Sequence, residues 1–514
     1  MSDRAHAAIR KPGYRQNDGR GEPEREVKLG ADTDFQLPDL SATWEGVAAT
    51  LRPEEQLSTV YVDSDDLRLA RWDVSFRYRD GQGWTVKLPG ERSGPLLVRE
   101  EVVFEGSAER PPPDAADLVS GYLRGAALRP QVRLSTLRRG VLLHDRQGRL
   151  VADVVDDAVA VLDGSRPAAR FRELEVETTN DTPPGLLEAV LTRLRADGAG
   201  APDPTPKYLR ALGGRDAAPP EVMLSRLSSG ASLGEVIAYA VTDGVIRLIR
   251  HDAIVRMDTD PEGVHQARVA TRRLRSDLRT LRSALDPHWS RELRDELGWL
   301  GQALGAARDA DVLLARLAAR AQALPAASTE GVREVIAGLE EERAQAHARL
   351  LEQLRRDRYL RLLDRLIHAA RAPAMREGKA ELPARKALKP LVRRTWRALE
   401  TKVSSLGDPP PDEELHMVRI LAKRARYAAE LAAPVLGRRT REFAGAAGGL
   451  QDTLGELHDA VVAEGWLREW ARHGPSPAGA FAAGELAALE RDAAAQARER
   501  WPRAWSRVEA AAPA

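Results

Sequence analysis

His265-Gln266-Ala267-Arg268-Val269-Ala270-Thr271-Arg272-Arg273-Leu274-Arg275 returns later in the chain as His416-Met417-Val418-Arg419-Ile420-Leu421-Ala422-Lys423-Arg424-Ala425-Arg426. The histidine, the arginine three residues on, a basic pair and a closing arginine keep their places. A second echo follows each copy at a similar distance: Leu304-Gly305-Ala306-Ala307-Arg308-Asp309 and Leu454-Gly455-Glu456-Leu457-His458-Asp459. Two motifs repeated in one order indicate an internal duplication. At about 100° per residue, His265, Arg268, Arg272, Arg275 and Arg279 fall within an arc of roughly 80° on a helix. His416, Arg419, Lys423 and Arg426 make the equivalent arc. Val264–Arg282 holds six arginines against one acid, Asp277. An ordinary solvated helix face mixes charge signs at i,i+4 spacing. A stripe of one sign repels itself and calls for an anion, and the guanidinium fork suits phosphate oxygens. The competing reading is pairing with acids on neighbouring helices, and a second matched copy weighs against it. Asp309 and Asp459 read as helix caps or as groups that orient arginines, and Tyr427 as packing.

Outward from this repeat the chain has two textures. From Leu233 onward, long amphipathic runs follow one another, predicting helices over Leu233–Arg250, Val264–Ala284, Trp289–Ala306, Ala310–Leu324, Glu330–Arg358 and Pro383–Lys402. Leu415–Val435, Arg438–Leu454 and Glu485–Arg500 continue the series. Glu24 to Thr179 instead reads as short strands separated by turn chemistry, with a hairpin at Asp145-Arg146-Gln147-Gly148 and helices near Asp114–Gly125 and Leu186–Ala196. Residues 197–224 are rich in Pro and Gly and read as a linker carrying one helical turn near Lys207–Leu212. The expected layout is a disordered basic N-terminus over 1–21, an α+β domain over 22–196, the linker, an all-α duplicated domain over 225–508 and a tail over 509–514.

At 514 residues with 43% hydrophobic content, the chain is long enough for two or three cores. The absence of cysteine excludes disulfides and thiolate metal sites and fits a cytoplasmic protein. No apolar run reaches the ~18 residues of a membrane span. An aromatic content of 5% supplies no stacking platform beside the basic motifs, which ranks nucleic acid last among polyanion partners.

His-x-x-Arg-Val-x-x-Arg-Arg-Leu-Arg, then Leu-Gly-x-x-Arg-Asp-x-Asp-Val, then the second His-x-x-Arg copy ending in Arg426-Tyr427, closely resembles the CHAD domain over about Ser225–Val508. The resemblance implies paired four-helix bundles around a basic groove that binds inorganic polyphosphate. Binding residues would be His265, Arg268, Arg272, Arg273, Arg275, Arg279, His416, Arg419, Lys423, Arg424 and Arg426.

In the strand-rich half, Glu24, Glu26 and Lys28 share one strand face, as do Arg77 with Arg79, Arg99 with Glu101, and Glu173 with Glu175 and Glu177. Such rows are either the outer face of an open sheet or the lining of a closed one. Their order decides between them. Glu24-x-Glu26-x-Lys28, Tyr61-x-Asp63, Phe76-Arg77-Tyr78-Arg79, Trp84 to Pro89, Arg99-Glu100-Glu101 and Glu173-Leu174-Glu175-Val176-Glu177 together resemble a CYTH domain of the triphosphate tunnel metalloenzymes. This implies an eight-stranded antiparallel tunnel and, in active members, metal-dependent triphosphate hydrolysis. Glu24, Glu26, Glu173 and Glu175 would hold Mg²⁺ or Mn²⁺, and Lys28, Arg77, Arg79, Lys87 and Arg138 would hold phosphates. The function expected is polyphosphate binding with a triphosphate or polyphosphate phosphohydrolase domain. The alternative is a non-catalytic polyphosphate binder directed to granules.

Overall fold

A computed structural model describes residues 15–16, 23–213 and 218–513. The N-terminal arm expected over 1–21 lies almost wholly outside them. The chain divides into two compact units, Met1–Glu221 and Val222–Ala514.

The first unit contains strands β1 (Arg15–Gln16), β2 (Glu24–Ala31), β3 (Ala48–Asp63), β4 (Ser75–Arg79), β5 (Gly83–Lys87), β6 (Glu91–Ser93), β7 (Leu96–Arg99), β8 (Glu101–Phe104), β9 (Arg129–His144), β10 (Leu150–Asp163) and β11 (Arg166–Thr178). Every pairing is antiparallel, in the order β1-β8-β5-β4-β3-β9-β10-β11-β2-β7-β6. Only Glu100 separates β7 from β8. The first half of that continuous strand pairs with β2 and the second half with β5. One strand thus joins the two ends of the sheet, and eight strands close into a barrel, with β1 and β6 as accessories.

The barrel is apolar outside and ionic inside. On the outer face Leu143, Val154, Leu174 and Val176 pack against Leu186, Val190 and Leu194 of helix α4 (Leu186–Ala196). Each of those three α4 side chains is fully buried, contributing about 1.5–3 kcal/mol. Strand alternation then turns Glu26, Lys28, Arg77, Arg79, Lys87, Arg99, Glu101, Arg138, Asp157, Glu173 and Glu175 inward, all buried. The hairpin predicted at Asp145 is present: its carboxylate accepts from the Gln147 and Arg149 amides, and Gly148 adopts φ +75°.

Three short helices lie at the rim: α1 (Arg68–Arg71), α2 (Pro113–Leu118) and α3 (Ser120–Leu123). Asp63 fixes α1 by accepting from the Ser64, Leu69 and Ala70 amides, and the Ser64 hydroxyl accepts from Arg68. Asp73 follows at φ +59°, a left-handed conformation that Asp tolerates better than most residues.

Part of the segment that reads as a linker over 197–224 belongs to the barrel. The Gly200 amide donates to the Gly30 carbonyl and the Asp203 amide to the Lys28 carbonyl, leading into helix α5 (Lys207–Ala211). Tyr208 stacks on Tyr61 at 5.2 Å and donates to the Val74 carbonyl. Together with Val132, Leu134 and Val159, these rings form an apolar plug at one end of the barrel.

The second unit is helical throughout: α6 (Leu233–Met257), α7 (Pro261–Thr280), α8 (Pro287–Ala321), α9 (Thr329–Leu354), α10 (Asp357–Arg371), α11 (Ala384–Ser404), α12 (Asp412–Leu436), α13 (Arg438–Arg472) and α14 (Pro477–Ala510). Among the described residues, no helix is long and apolar enough to cross a membrane. Starts follow capping rules: Ser232 and Glu235 form a capping box, and Asp260 and Asp286 cap helices that carry Pro at their first turn. Several boundaries differ from the sequence expectation, among them the end of α13, which runs to Arg472 rather than Leu454. Trp289–Ala306 and Ala310–Leu324 are one 35-residue helix, α8, because nothing at 307–309 breaks it. Glu330–Arg358 instead divides at Arg355-Arg356 into α9 and α10. Helix α14 starts at Pro477 and extends to Ala510, into the expected tail.

Asp277 is buried beneath α7. Neither carboxylate oxygen has a hydrogen-bond partner, and Arg273 Nε stands 3.9 Å away. Burial, helped by Glu430 and Asp243, pushes its carboxyl up to about 7. A folded pKa above the unfolded value makes this acid cost stability as pH rises from the ordinary carboxylate range, in full above about 7. Asp277→Asn is therefore expected to stabilise the protein at pH 8.5, on the order of 2 kcal/mol, with no gain near pH 4. Urea unfolding at the two pH values checks this.

Candidate functional site

Inside the barrel, charge is separated by wall. Strands β2 and β11 carry the acids. Glu26 stands directly opposite Glu177, and Lys28 opposite Glu175. Like charges in direct cross-strand register repel, and Glu24 lies on the same face. Burial, then Glu24 and Glu175, push the Glu177 carboxyl up to about 8. Glu26 Oε2 has no hydrogen-bond partner. The wall from β4 to β9 carries Arg77, Arg79 and Arg138. Burial together with Arg77 and Arg138 lowers Arg79 to about 10. Each wall is therefore crowded with charge of one sign, although Lys28 on β2 and Asp157 on β10 interrupt it.

Some pairs cross between the walls. Lys28 Nζ lies 2.6 Å from Glu175, 3.3 Å from Glu26 and 3.7 Å from Glu173. Lys87 Nζ meets Glu24 and, at 2.9 Å, Glu101. Arg99 bonds both Glu24 and Glu26. Arg138 makes a two-pronged bond to Asp157 at 2.7 and 2.8 Å. Although burial opposes it, Lys87 and Arg77 hold Glu101 at about 2. All nine tunnel residues singled out in the sequence line this cavity. Four that were not assigned a role, Arg99, Glu101, Asp157 and Lys207, line it with them.

The all-oxygen donor set suits a hard divalent cation. Glu24, Glu26 and Glu177, with Glu175, form the acid-rich part, and the facing Glu26–Glu177 pair, with Glu26 Oε2 lacking a hydrogen bond, gives a cation something to satisfy. Among the described residues no three such groups are already gathered as a cage; lysines and arginines hold them apart. Glu173 differs from the other three expected ligands. It sits at the plugged end, with Lys207 Nζ at 3.5 Å and Arg210 at 3.5 Å. Glu177 takes its place among the acids facing Glu26.

Lys207 is the tunnel group that no strand motif announces. Its ammonium bonds Asp157 and lies 3.1 Å from Glu175. Lys207→Ala would take one cation from buried Asp157 and Glu175, leaving them Arg138 and Lys28, a change expected to cost about 3 kcal/mol. A lower melting temperature of the barrel, followed by near-ultraviolet circular dichroism, is the check.

In the second unit, α7 and α12 carry the two stripes and pack against each other. Lys423 has no carboxylate at ion-pair distance among the described residues. Burial, then Arg272, Arg419 and Arg268, lower its ammonium to about 8, so the two stripes face one another. Arg268 bonds Asp309 at 2.9 Å. Asp309 lies within α8, so it orients an arginine and caps nothing. Tyr427 is more than packing: its hydroxyl accepts from Arg272 Nε at 2.8 Å, tying the second copy to the first. Arg273 and Arg426 are both held by Glu430, at 2.8 and 2.7 Å, and are committed to that contact. Arg275 and Arg279 continue the stripe on the exposed face of α7, and Arg424 lies near enough to Arg279 to be lowered by it, after burial. Glycines seat the stems. Gly305 lies beside Arg268 and Gly455 beside Arg419, where a side chain larger than Ala would displace the guanidinium.

Residues 22–198 match the CYTH domain and residues 240–468 the CHAD domain. The chain belongs to the proteins that join a CYTH domain to a CHAD domain. It is 31% identical over 468 residues to the uncharacterized protein Rv2226 of Mycobacterium tuberculosis, covering 86% of this chain and 88% of that one. Among solved structures it is similar to PptA from Streptomyces chartreusis, at 23% identity, TM-score 0.45, over 54% of this chain and all of that one. The CHAD domain from the plant Ricinus communis matches at 28% identity, TM-score 0.44, over 54% of this chain and 95% of that one.

Proposed function

We propose that the first unit is a divalent-metal-dependent phosphohydrolase acting on tripolyphosphate or the end of a polyphosphate chain, and that the second unit binds inorganic polyphosphate. The observation that carries the first part is the charged tunnel, with crowded acids, Glu26 facing Glu177, on one wall and crowded arginines on the other. A metal-bound triphosphate would relieve the like-charge crowding on both walls. Arg77, Arg79, Arg138 and Lys87 would hold phosphate oxygens, and the plug formed by α5 would admit a chain only by its end. Glu24, Glu26 and Glu177, with Glu175, would hold the metal. When bound, the metal would supply Lewis-acid polarisation of a phosphoryl oxygen and activation of water. The two facing stripes of the second unit support the binding part, since a bound polymer raises the local concentration of its own end.

Incubation with tripolyphosphate and Mg²⁺ or Mn²⁺ should release orthophosphate. No metal-dependent release at any chain length would leave only the binding function, the role of a non-catalytic polyphosphate carrier.

A further inference from the structure

The duplicated halves of the groove share a sequence motif but differ in acid–base chemistry. In the first copy the positions after His265 are Arg268, Arg272 and, on α8, Arg308. Guanidinium groups stay charged at all ordinary pH values. In the second copy Lys423 stands where the first has Arg272, and His458 on α13 stands where the first has Arg308. The second copy thus carries three titratable cations, His416, Lys423 and His458, where the first has His265 alone.

We propose that the second copy makes the groove proton-dependent: it takes up protons as it takes up polyanion, so polyphosphate is held in mildly acidic medium and released as the medium turns alkaline. This rests on the polyphosphate reading of the groove.

The geometry gathers these groups. The His416 and His458 rings lie 4.4 Å apart, centroid to centroid. The His416 Nδ1 and Arg419 Nε atoms are buried without a hydrogen-bond partner. From α12, Arg419 and Lys423 face this pair, and from α13, Asp459. Across the groove α7 contributes Arg268 and Arg272, and α8 contributes Asp309. Cations outnumber acids, so the empty groove disfavours further positive charge. Burial, then Arg419 and His416, lower His458 to about 4; burial, then Arg419 and Lys423, lower His416. Lys423, at about 8, is already partly neutral in weakly alkaline medium. An arriving row of phosphate oxygens reverses that field and raises all three. Groups whose pKa rises on binding must gain protons as ligand binds, and affinity then falls with rising pH.

The test uses the full-length chain and long-chain polyphosphate, whose internal phosphates stay ionised throughout, at constant ionic strength. Titration calorimetry in buffers of different ionisation enthalpy counts the protons taken up. Kd is expected to rise about ten-fold per pH unit for each proton linked, and about ten-fold or more between pH 6 and pH 9. Lys423→Arg/His458→Arg gives the second copy the groups of the first. It is expected to bind at pH 9 as wild type does at pH 6, with a flattened profile. Wild-type binding that is independent of pH and takes up no protons would overturn the proposal, without needing the variant. So would an unchanged pH slope in Lys423→Arg/His458→Arg. Absence of binding at every pH would instead remove the groove reading, and the inference with it.

Discussion

Glu26→Gln/Glu177→Gln protein, given tripolyphosphate with Mg²⁺ or Mn²⁺, is expected to release orthophosphate about 100-fold more slowly than wild type, or slower still. The two side chains stand in direct register on β2 and β11. Gln keeps their volume, so the barrel keeps its packing. What disappears is the pair of facing carboxylates that would hold the metal. Burial, then Glu24 and Glu175, push the Glu177 carboxyl up to about 8, so Glu177→Gln removes little charge near pH 7, whereas Glu26→Gln takes a partner from Arg99 and Lys28. Glu177→Gln alone should therefore keep wild-type thermal stability even as metal-dependent activity falls, whereas the double variant also gives up the Glu26 ion pairs. In Glu177→Gln, lost activity with lost stability would point to a structural role, and retained activity in the double variant would take Glu26 and Glu177 out of the metal site. Glu173→Gln gives the contrast. Since Glu173 sits with Lys207 and Arg210 at the plugged end, its replacement should leave metal-dependent turnover near the wild-type level.

The tunnel lining was legible in the sequence because strand alternation is strict. Once Glu24-x-Glu26-x-Lys28 and Arg77-x-Arg79 lie on strands, each set must share a face, and the structure turns every one of them inward. What alternation leaves open is register. Glu173, Glu175 and Glu177 are equivalent by period 2, and only the pairing with β2 places Glu177 against Glu26 and Glu173 at the plug. Lys207 was not legible at all. It lies in a Pro-rich stretch whose composition matches that of a flexible linker, and its partner Asp157 is 50 residues away. Its relevance arises from the return of residues 200–208 across the barrel end. Arg99 and Glu101 were visible as a pair, yet their job depended on a strand that changes partners at Glu100.

In the helical unit, the repeat was legible because its spacing survived duplication. The roles of individual arginines were not. Arg273 and Arg426 sit among the basic residues of their motifs like any other, but Glu430 claims both, a contact between α7 and α12 that helical periodicity does not contain. The Leu-Gly-x-x-Arg-Asp echo read as a helix end because Gly and Asp often mark one. In α8 the glycine makes room for Arg268, and the aspartate bonds it.

Arg272→Glu/Lys423→Glu is expected to weaken polyphosphate binding by about 1000-fold, each reversal costing on the order of 2 kcal/mol or more at a half-buried site. The two residues come from opposite stripes, so the variant tests whether one groove is lined from both sides. Lys423 is lowered by Arg272 before any other charged group. Placing a carboxylate at both positions lets each new acid meet Arg268 or Arg419, so the folded unit should keep its helicity while the field at its centre changes sign. A surface patch that bound polymer through scattered arginines would lose only a few-fold and would be restored by low salt. The centre of a shared groove should not be restored, because its arginines are then occupied by the new carboxylates. Tripolyphosphate hydrolysis by the same variant should stay at the wild-type level, since the tunnel is untouched, whereas hydrolysis of long chains at low concentration should slow. That split between short and long substrates is the expected signature of a groove that gathers polymer for a tunnel that cuts it, and its absence would mean that the two units act on phosphate independently.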